Sequence, residues 1–158
     1  MLSNKVKYTG EWNDSGQRHG RGTQIWPDGA RYDGYFLNNR QQGYGRMIHA
    51  DGDYYEGYWK KDRSNGTGKY IHLDGASYEG GWLEDKHHGH GKEVWADGAA
   101  FEGEYVAGMK HGTGKFVWPD GSTFIGDFVD NKMEGQGTYE WVDGRRYAGG
   151  WKENMQHG

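Results

Sequence analysis

The sequence contains no cysteine, only 2 prolines and no long apolar run in its 158 residues. Without cysteine there can be no disulfide framework, no thiolate zinc site and no cysteine nucleophile, which is typical of an intracellular protein. The N-terminal residues form neither an apolar leader nor an amphipathic presequence, and nothing is long and apolar enough to span a membrane. We therefore expect a cytoplasmic protein.

Aliphatic side chains are also scarce, since only 33% of the residues are hydrophobic. This excludes an aliphatic core of normal size. Aromatic residues make up 16% of the chain and are accompanied by 30 glycines, which is not the composition of a solvated, disordered chain. The formal net charge of −4 argues against nucleic-acid binding, which usually needs a basic surface. We expect a folded protein whose aromatic residues provide most of the burial.

A repeat of 23 residues, once of 24, runs through the chain. Each unit begins with an aromatic residue: Tyr8, Tyr32, Tyr55, Tyr78, Phe101, Phe124 and Tyr147. A glycine follows two positions later and a second aromatic residue four positions later. A G-x-G pair and an Asp-Gly pair complete each of the first six units. The 8 tryptophans occupy only two registers, the second aromatic position and the position two residues before the aspartate.

This spacing predicts one β-hairpin in each unit. In Tyr78-x-Gly80-x-Trp82 the two rings and the glycine fall on one face of a strand, and the glycine leaves bare backbone on which a ring can lie. The Asp-Gly pair is typical of tight β-turns. One hairpin buries too little apolar surface to fold alone, so successive hairpins must stack. We predict an all-β fold, an elongated single-layer ribbon of stacked antiparallel β-hairpins.

The same residues resemble the MORN (membrane occupation and recognition nexus) repeat, Y-x-G-x-W-x-x-G-x-x-H-G-x-G followed by D-G. The resemblance covers residues 8–158, with 1–7 as an N-terminal lead-in, and gives six full repeats and a truncated seventh. The first unit carries one extra residue within 13–18, and Gln42, Asn65 and Glu134 replace the histidine of the motif. The last unit stops at His157-Gly158, before its second strand, so we expect the chain to be part of a longer protein.

Histidines are the most conspicuous candidates for chemistry, because His87, His88 and His90 lie close together. His88, however, occupies the same register as His19, His111 and His157, and that register also accepts Gln, Asn and Glu. We interpret it as a polar position that closes the hairpin loop. A zinc ion bridging His88 and His111, between two chains, is the alternative.

Other motifs in the sequence predict no enzyme site. The Asp ladder, one aspartate per unit, is interpreted as turn capping, since a calcium site needs six to eight converging oxygens. GTGK at 66–69 and 112–115 lacks the spacing and the following helix of a phosphate loop. An active site is usually a singular place in a sequence, and a repeat has almost none. We predict a non-catalytic chain without a cofactor or metal.

Basic residues recur beside the predicted hairpin loops: Arg18, Arg40, Arg63, Lys86, Lys110 and Lys132. Together they would form a basic edge that could contact anionic phospholipid headgroups, as the name of the family suggests. Acidic residues share the same loops, so solvation of an exposed edge is the preferred interpretation.

The aromatic face is the predicted partner-binding surface, because a single layer cannot bury both of its sides. Its candidate residues are Trp95, Phe116, Trp118, Tyr139 and Trp141. The resemblance implies a scaffold that docks protein partners, or a second copy of itself, in cytoskeletal, ciliary or membrane-associated assemblies. The alternative is a regulatory or lipid-targeting segment of a larger enzyme, such as a phosphatidylinositol-phosphate kinase or a lysine methyltransferase.

Overall fold

The computed structural model describes residues 5–156, and every regular element in that range is a β-strand. The chain divides into two compact units, of which the first holds residues 5–74 and 82–85 and the second holds 75–81 and 86–156. No helix within the described range has the length and apolar character needed to cross a membrane. His157 and Gly158, part of the predicted seventh repeat, lie outside the described residues.

In the first unit six strands pair antiparallel, each with the next one along the chain. They are β1 Lys7–Trp12, β2 Arg18–Ile25, β3 Arg31–Leu37, β4 Arg40–Ile48, β5 Tyr54–Lys60 and β6 Arg63–Ile71. The seventh strand, β7 Ser77–Leu83, contributes residues to both units.

The second unit repeats the same antiparallel order. Its strands are β8 Lys86–Val94, β9 Ala100–Val106, β10 Met109–Val117, β11 Thr123–Val129, β12 Lys132–Glu140, β13 Arg146–Lys152 and β14 Met155–Gln156. The predicted all-β fold of antiparallel hairpins is confirmed.

The core of each unit consists of aromatic rings lying on glycine backbone. Tyr32 is fully buried, and its hydroxyl donates a hydrogen bond of 2.9 Å to the carbonyl of Tyr35. Gly34 and Gly45 pair directly across β3 and β4, and a Cβ placed at Gly34 would lie 2.7 Å from that hydroxyl. The side of each unit that carries these buried rings is called the aromatic face below, and the other side the opposite face.

Two kinds of turn connect the strands. The Asp-Gly turns are type I turns followed by a one-residue bulge: the Gly29 N–H donates to the Trp26 carbonyl, and the Trp26 N–H to the Ala30 carbonyl. The carboxylate of Asp28 accepts the N–H of Ala30 at 2.9 Å, as the turn-capping interpretation requires. This aspartate is therefore a structural residue.

The second kind is a two-residue turn with positive φ at both central positions, which defines type I′. Asn38 and Asn39 have φ of 48° and 72°, and later hairpins repeat this geometry. These turns also bind the strand before their own hairpin. In the turn at Lys61 and Asp62, the Asp62 N–H donates to the Gln41 carbonyl on β4, and the Gln41 N–H donates to the Asp62 carboxylate at 2.8 Å. Gln42, in the histidine register, lies within β4, and its side-chain oxygen accepts the N–H of Lys61 in the next type I′ turn at 3.1 Å, so this polar position closes the turn of the following hairpin.

Candidate functional site

The five predicted partner-binding residues lie on the aromatic face of the second unit. Phe116 on β10 pairs directly opposite Phe101 and Phe124, and directly opposed residues of antiparallel strands share a face. Tyr139 on β12 likewise pairs with Phe124. Trp118 begins an Asp-Gly turn, where its N–H donates to the Ser122 carbonyl at 2.9 Å. Strand pairing and turn geometry thus determine the backbone positions from which these side chains project.

The structure brings all five rings into one continuous row. Ring centroids are 5.4 Å apart for Trp95 and Phe116, 4.6 Å for Phe116 and Trp118, 5.0 Å for Trp118 and Tyr139, and 4.6 Å for Tyr139 and Trp141. Each pair is tilted, as is usual for offset aromatic contacts. We call these five residues the aromatic row.

The aromatic row packs against buried rings of the same face. Phe101 is 1% exposed and Trp151 is 6% exposed, and they contact Phe116 and Tyr139 at centroid distances of 6.4 Å and 5.9 Å. The five rings of the row are themselves only partly exposed, because each covers its neighbours. The row is therefore a preorganised apolar strip and not a set of isolated rings.

A cation lies at each end of the row. The Lys110 ammonium is 5.1 Å from the Trp95 ring centroid, and burial lowers its pKa below the ordinary value. The Arg145 guanidinium is 5.6 Å from the Trp141 ring and forms an ion pair of 2.7 Å with Asp143. Both contacts are within the range of cation–π attraction.

The model of the MORN repeat matches residues 8–31, 32–54, 55–77, 78–100, 101–123, 124–145 and 147–158. This chain belongs to the MORN repeat family.

A curated relative is the MORN repeat-containing protein 4 homolog of Drosophila melanogaster, 57% identical over 30 residues. The match spans 19% of this chain and only 15% of that protein.

Among solved structures, the SAS-4 (dCPAP) TCP domain of Drosophila melanogaster, in complex with a proline-rich motif of Ana2, is similar with a TM-score of 0.52 and 16% identity. The similarity covers 89% of this chain and 76% of that one. The CPAP G-box domain is similar with a TM-score of 0.44 and 16% identity, over 93% and 94% of the two chains. The first likeness shows the fold alone, and the second is weaker still.

Differences between the MORN repeats set the limits of the aromatic row. Glu93 occupies the register of Phe116 and Tyr139, and its carboxylate accepts the Tyr105 hydroxyl at 2.8 Å. In the first unit, His72 stands where later repeats have tryptophan. It pairs with Asp53 at 3.2 Å, and Asp53 also accepts the Tyr70 hydroxyl at 3.1 Å. The pKa of Tyr70 rises to about 12, through burial first and this bond second.

The histidine cluster is divided between different contacts. The His87 ring stacks on Tyr78 at 3.6 Å, on the aromatic face. The His90 ring lies 3.3 Å from the Glu102 carboxylate and 3.4 Å from Glu104. In residues 5–156 no group of three or more His, Asp or Glu side chains is arranged to hold a metal ion. The bridging of His88 and His111 between two chains stays a hypothesis.

The predicted basic edge is not uniform. Arg40, Lys86 and Lys132 are exposed at the starts of their strands. Arg18 instead lies 5.4 Å from the Phe36 ring and binds the Gln24 side chain, and Lys110 lies over Trp95. These two residues occur one register later than the others, which turns them to the aromatic face.

Sequence reasoning missed three tyrosines on the opposite face of the first unit. Tyr35, Tyr44 and Tyr58 are 45%, 45% and 50% exposed. A signal for them was available: they alternate with the buried registers, and the corresponding positions in the repeats of the second unit carry glycine, polar or charged residues.

Proposed function

We propose that this chain is a non-catalytic scaffold that docks a protein partner through the aromatic row. The observation that carries the proposal is the unbroken contact of five partly exposed rings on a buried aromatic layer. Tryptophan and tyrosine are enriched among the interface residues whose truncation to alanine causes the largest loss of binding free energy. The rings are held in place before binding, so little side-chain entropy is lost when a partner covers them.

The dimensions of the row suit a short segment of a partner. Its residues extend from the end of β8 to the end of β12, which is four strand spacings or roughly 19 Å. A helix of about 13 residues covers that distance at 1.5 Å per residue. We propose such a helix, with apolar side chains against the rings and an acidic residue near Lys110.

The fold neighbour supports a protein partner in a general way, because the SAS-4 TCP domain was solved with a peptide of another protein. The MORN family resemblance supports a cytoplasmic scaffold in a cytoskeletal or ciliary assembly, and this setting is part of the proposal. Service as a regulatory segment of a larger enzyme is an alternative function. Phospholipid binding and self-association are two further alternatives, which the experiment below distinguishes from a protein partner.

The test is a pull-down from native cells with the unaltered protein and two variants. Trp118→Ala with Trp141→Ala should abolish capture of the partner, because it removes two of the five anchors. Arg40→Glu with Lys86→Glu and Lys132→Glu should leave capture intact. Lys110 is kept unchanged, because its ammonium contacts the row itself. Circular dichroism and melting temperature establish that each variant is folded.

The opposite pattern would refute the proposal. Capture that survives loss of both tryptophans and is lost with the charge reversals assigns recognition to the basic edge. Binding of the unaltered protein to phosphatidylserine vesicles, measured by sedimentation, would then identify a lipid partner. Light scattering of the purified protein reports whether the partner is a second copy of the chain.

A further inference from the structure

A groove crosses the opposite face of the first unit. Its floor is the backbone at Gly22 and Gly34, and it forms a concavity of about 790 Å³. Tyr35 and Tyr44 line one side, and Asp33, Arg46 and Glu56 line the other. We call this feature the tyrosine groove. It is separate from the aromatic row in both face and unit.

Contacts within the groove hold its side chains in place. The Tyr44 hydroxyl donates to the Glu56 carboxylate at 2.7 Å, and the Tyr44 ring meets Tyr58 edge to face at 5.5 Å. The Arg46 guanidinium lies 3.9 Å from Glu56 and 4.9 Å from the Tyr54 ring. A ligand would therefore meet ordered rings, which lowers the entropic cost of binding.

The groove is one of the few non-repeating features of the chain. At the register of Tyr35 and Tyr58, the later repeats carry Gly81, Glu104 and Asp127. At the register of Tyr44, they carry residues such as Thr113 and Gln136. Folding does not require tyrosine at these positions, since the other repeats form the same hairpins without it. The three tyrosines are therefore candidates for a binding role.

The chemistry of the groove narrows the class of ligand. Its lining contains no Leu, Ile, Val or Met, so it offers no aliphatic contact to an amphipathic helix. The strands β2, β3, β4 and β5 are paired on both sides, so among the described strands of the groove only β1, at its end, offers an edge for strand addition, and a ligand that crosses the floor cannot join the sheet. The carboxylates of Glu11, Asp33 and Glu56 and the guanidinium groups of Arg21 and Arg46 line it, which leaves a small negative charge that disfavours nucleic acid and anionic lipid.

A polyproline II segment meets these conditions. It needs no hydrogen-bonded ladder, it places pyrrolidine rings on exposed tyrosine faces, and its free carbonyls can accept hydrogen bonds from the arginine side chains of the groove. The groove runs from β1 to β5, again roughly 19 Å. About six residues span that distance at 3.1 Å each. We propose that the tyrosine groove binds a proline-rich segment of a protein partner that carries one basic residue.

The experiment uses a synthetic decapeptide of proline with arginine at the fifth position. Added to the ¹⁵N-labelled protein, it should bind saturably and shift the amide signals of Tyr35, Tyr44 and Arg46. The indole signals of Trp118 and Trp141 should stay unchanged. A Gly-Ser decapeptide with the same arginine should bind about tenfold or more weakly, because it has no preformed polyproline II conformation.

Variants give a second readout by fluorescence anisotropy with the labelled proline peptide. Tyr35→Ala and Tyr44→Ala should each weaken binding about tenfold or more. Trp118→Ala is the matched control, an aromatic truncation on the other face, and should bind like the unaltered protein. The absence of saturable binding, binding by both tyrosine variants equal to that of the unaltered protein, or loss of binding with Trp118→Ala would each overturn the proposal. The signal-shift map of the unaltered protein decides the matter even if a variant fails to fold.

Discussion

Paired glycines determine where the rings of the core can lie. A ring on the aromatic face rests on backbone because the two glycines beneath it are directly opposed on neighbouring strands. The Trp59 and Trp151 indole N–H groups complete the arrangement by donating to glycine carbonyls at 3.1 and 3.2 Å. Glycine is thus required by close approach of ring and backbone.

Replacing Gly80 by valine should therefore destabilise the protein. A Cβ at this position would lie 2.5 Å from the Cα of Gly91 and 2.5 Å from the His90 carbonyl oxygen, both of them backbone atoms that cannot rotate away. We expect a loss of about 1–3 kcal/mol, the usual cost of overpacking. Urea denaturation monitored by tryptophan fluorescence measures it. His88→Gln is the control and should change little, since Gln42 occupies the same register; equal losses would contradict this account.

His90 provides a test at a single ionisable group. Its hydrogen bond to Glu102, and next that to Glu104, raises the pKa of the imidazole above its ordinary value. A raised folded-state pKa means that the protonated form contributes stability below the unfolded pKa, near 6.5, and that this stability disappears as pH rises through the folded pKa. The exposed ring makes the contribution small.

An NMR titration of the His90 ring protons should show the raised pKa directly. Glu102→Gln should lower it, because the variant removes the principal hydrogen-bond acceptor. Glu140→Gln is the matched control, since that carboxylate pairs with Arg146 at 2.9 Å instead. An unchanged His90 pKa in the Glu102 variant would show that the contact is not formed in solution.

At this scale the sequence predicted the buried registers and the glycine beneath each ring, because both recur in every unit. It also predicted that Trp118 and the other rings of the aromatic row stay partly exposed. It did not predict the exposed tyrosines of the opposite face, because the exposure of Tyr35 depends on contacts with neighbouring strands that a register by itself does not specify.

The type I′ turns are the elements that join one hairpin to the previous one. Asn131, with φ of 73°, donates its N–H to the Lys110 carbonyl at 3.0 Å, and its side-chain oxygen accepts the Lys110 N–H at 2.8 Å. Asn154 and Met133 repeat this arrangement. The turn therefore fixes both its own hairpin and the position of the preceding strand.

Two substitutions separate the conformational and hydrogen-bonding roles of Asn131. Asn131→Gly keeps the positive φ but loses the side-chain bond, so we expect a loss of about 0.5–1.5 kcal/mol. Asn131→Ala loses the bond and adds the cost of a left-handed residue, about 1–2 kcal/mol more. Thermal unfolding should rank the unaltered protein first and the alanine variant last. An alanine variant no less stable than the glycine variant would exclude the conformational role.

These turns were only partly predictable from sequence. Asp-Gly identified one turn of every repeat, because aspartate and glycine are both typical turn residues. The other turn begins with Asn38, Lys61, Glu84 or Ala107, which share no turn preference. The predictive signal lies in the second turn position, which is occupied by residues that tolerate positive φ: Asn39, Asp62, Asp85 and Gly108. The periodicity of the aromatic residues does not include this position.

On the scale of the whole molecule, charge distribution decides between the proposed partners. The net charge of −4 and the acidic residues beside the exposed basic ones oppose long-range attraction to anionic surfaces. The aromatic row would bind a partner mainly by burial of apolar surface, since its cations, Lys110 and Arg145, lie only at its two ends. Recognition through the row should thus depend weakly on salt.

Calorimetry of the captured partner at low and high salt tests this expectation. Between 50 and 500 mM salt we expect the Kd to change by less than about fivefold, because screening acts on the terminal cations and not on the buried rings. The heat-capacity change of binding should be negative, as burial of apolar surface requires. The Trp118→Ala variant should make that heat-capacity change smaller in magnitude. A Kd that rises tenfold or more over this range, with a heat-capacity change near zero, would instead place the binding energy in ion pairs at the exposed basic edge.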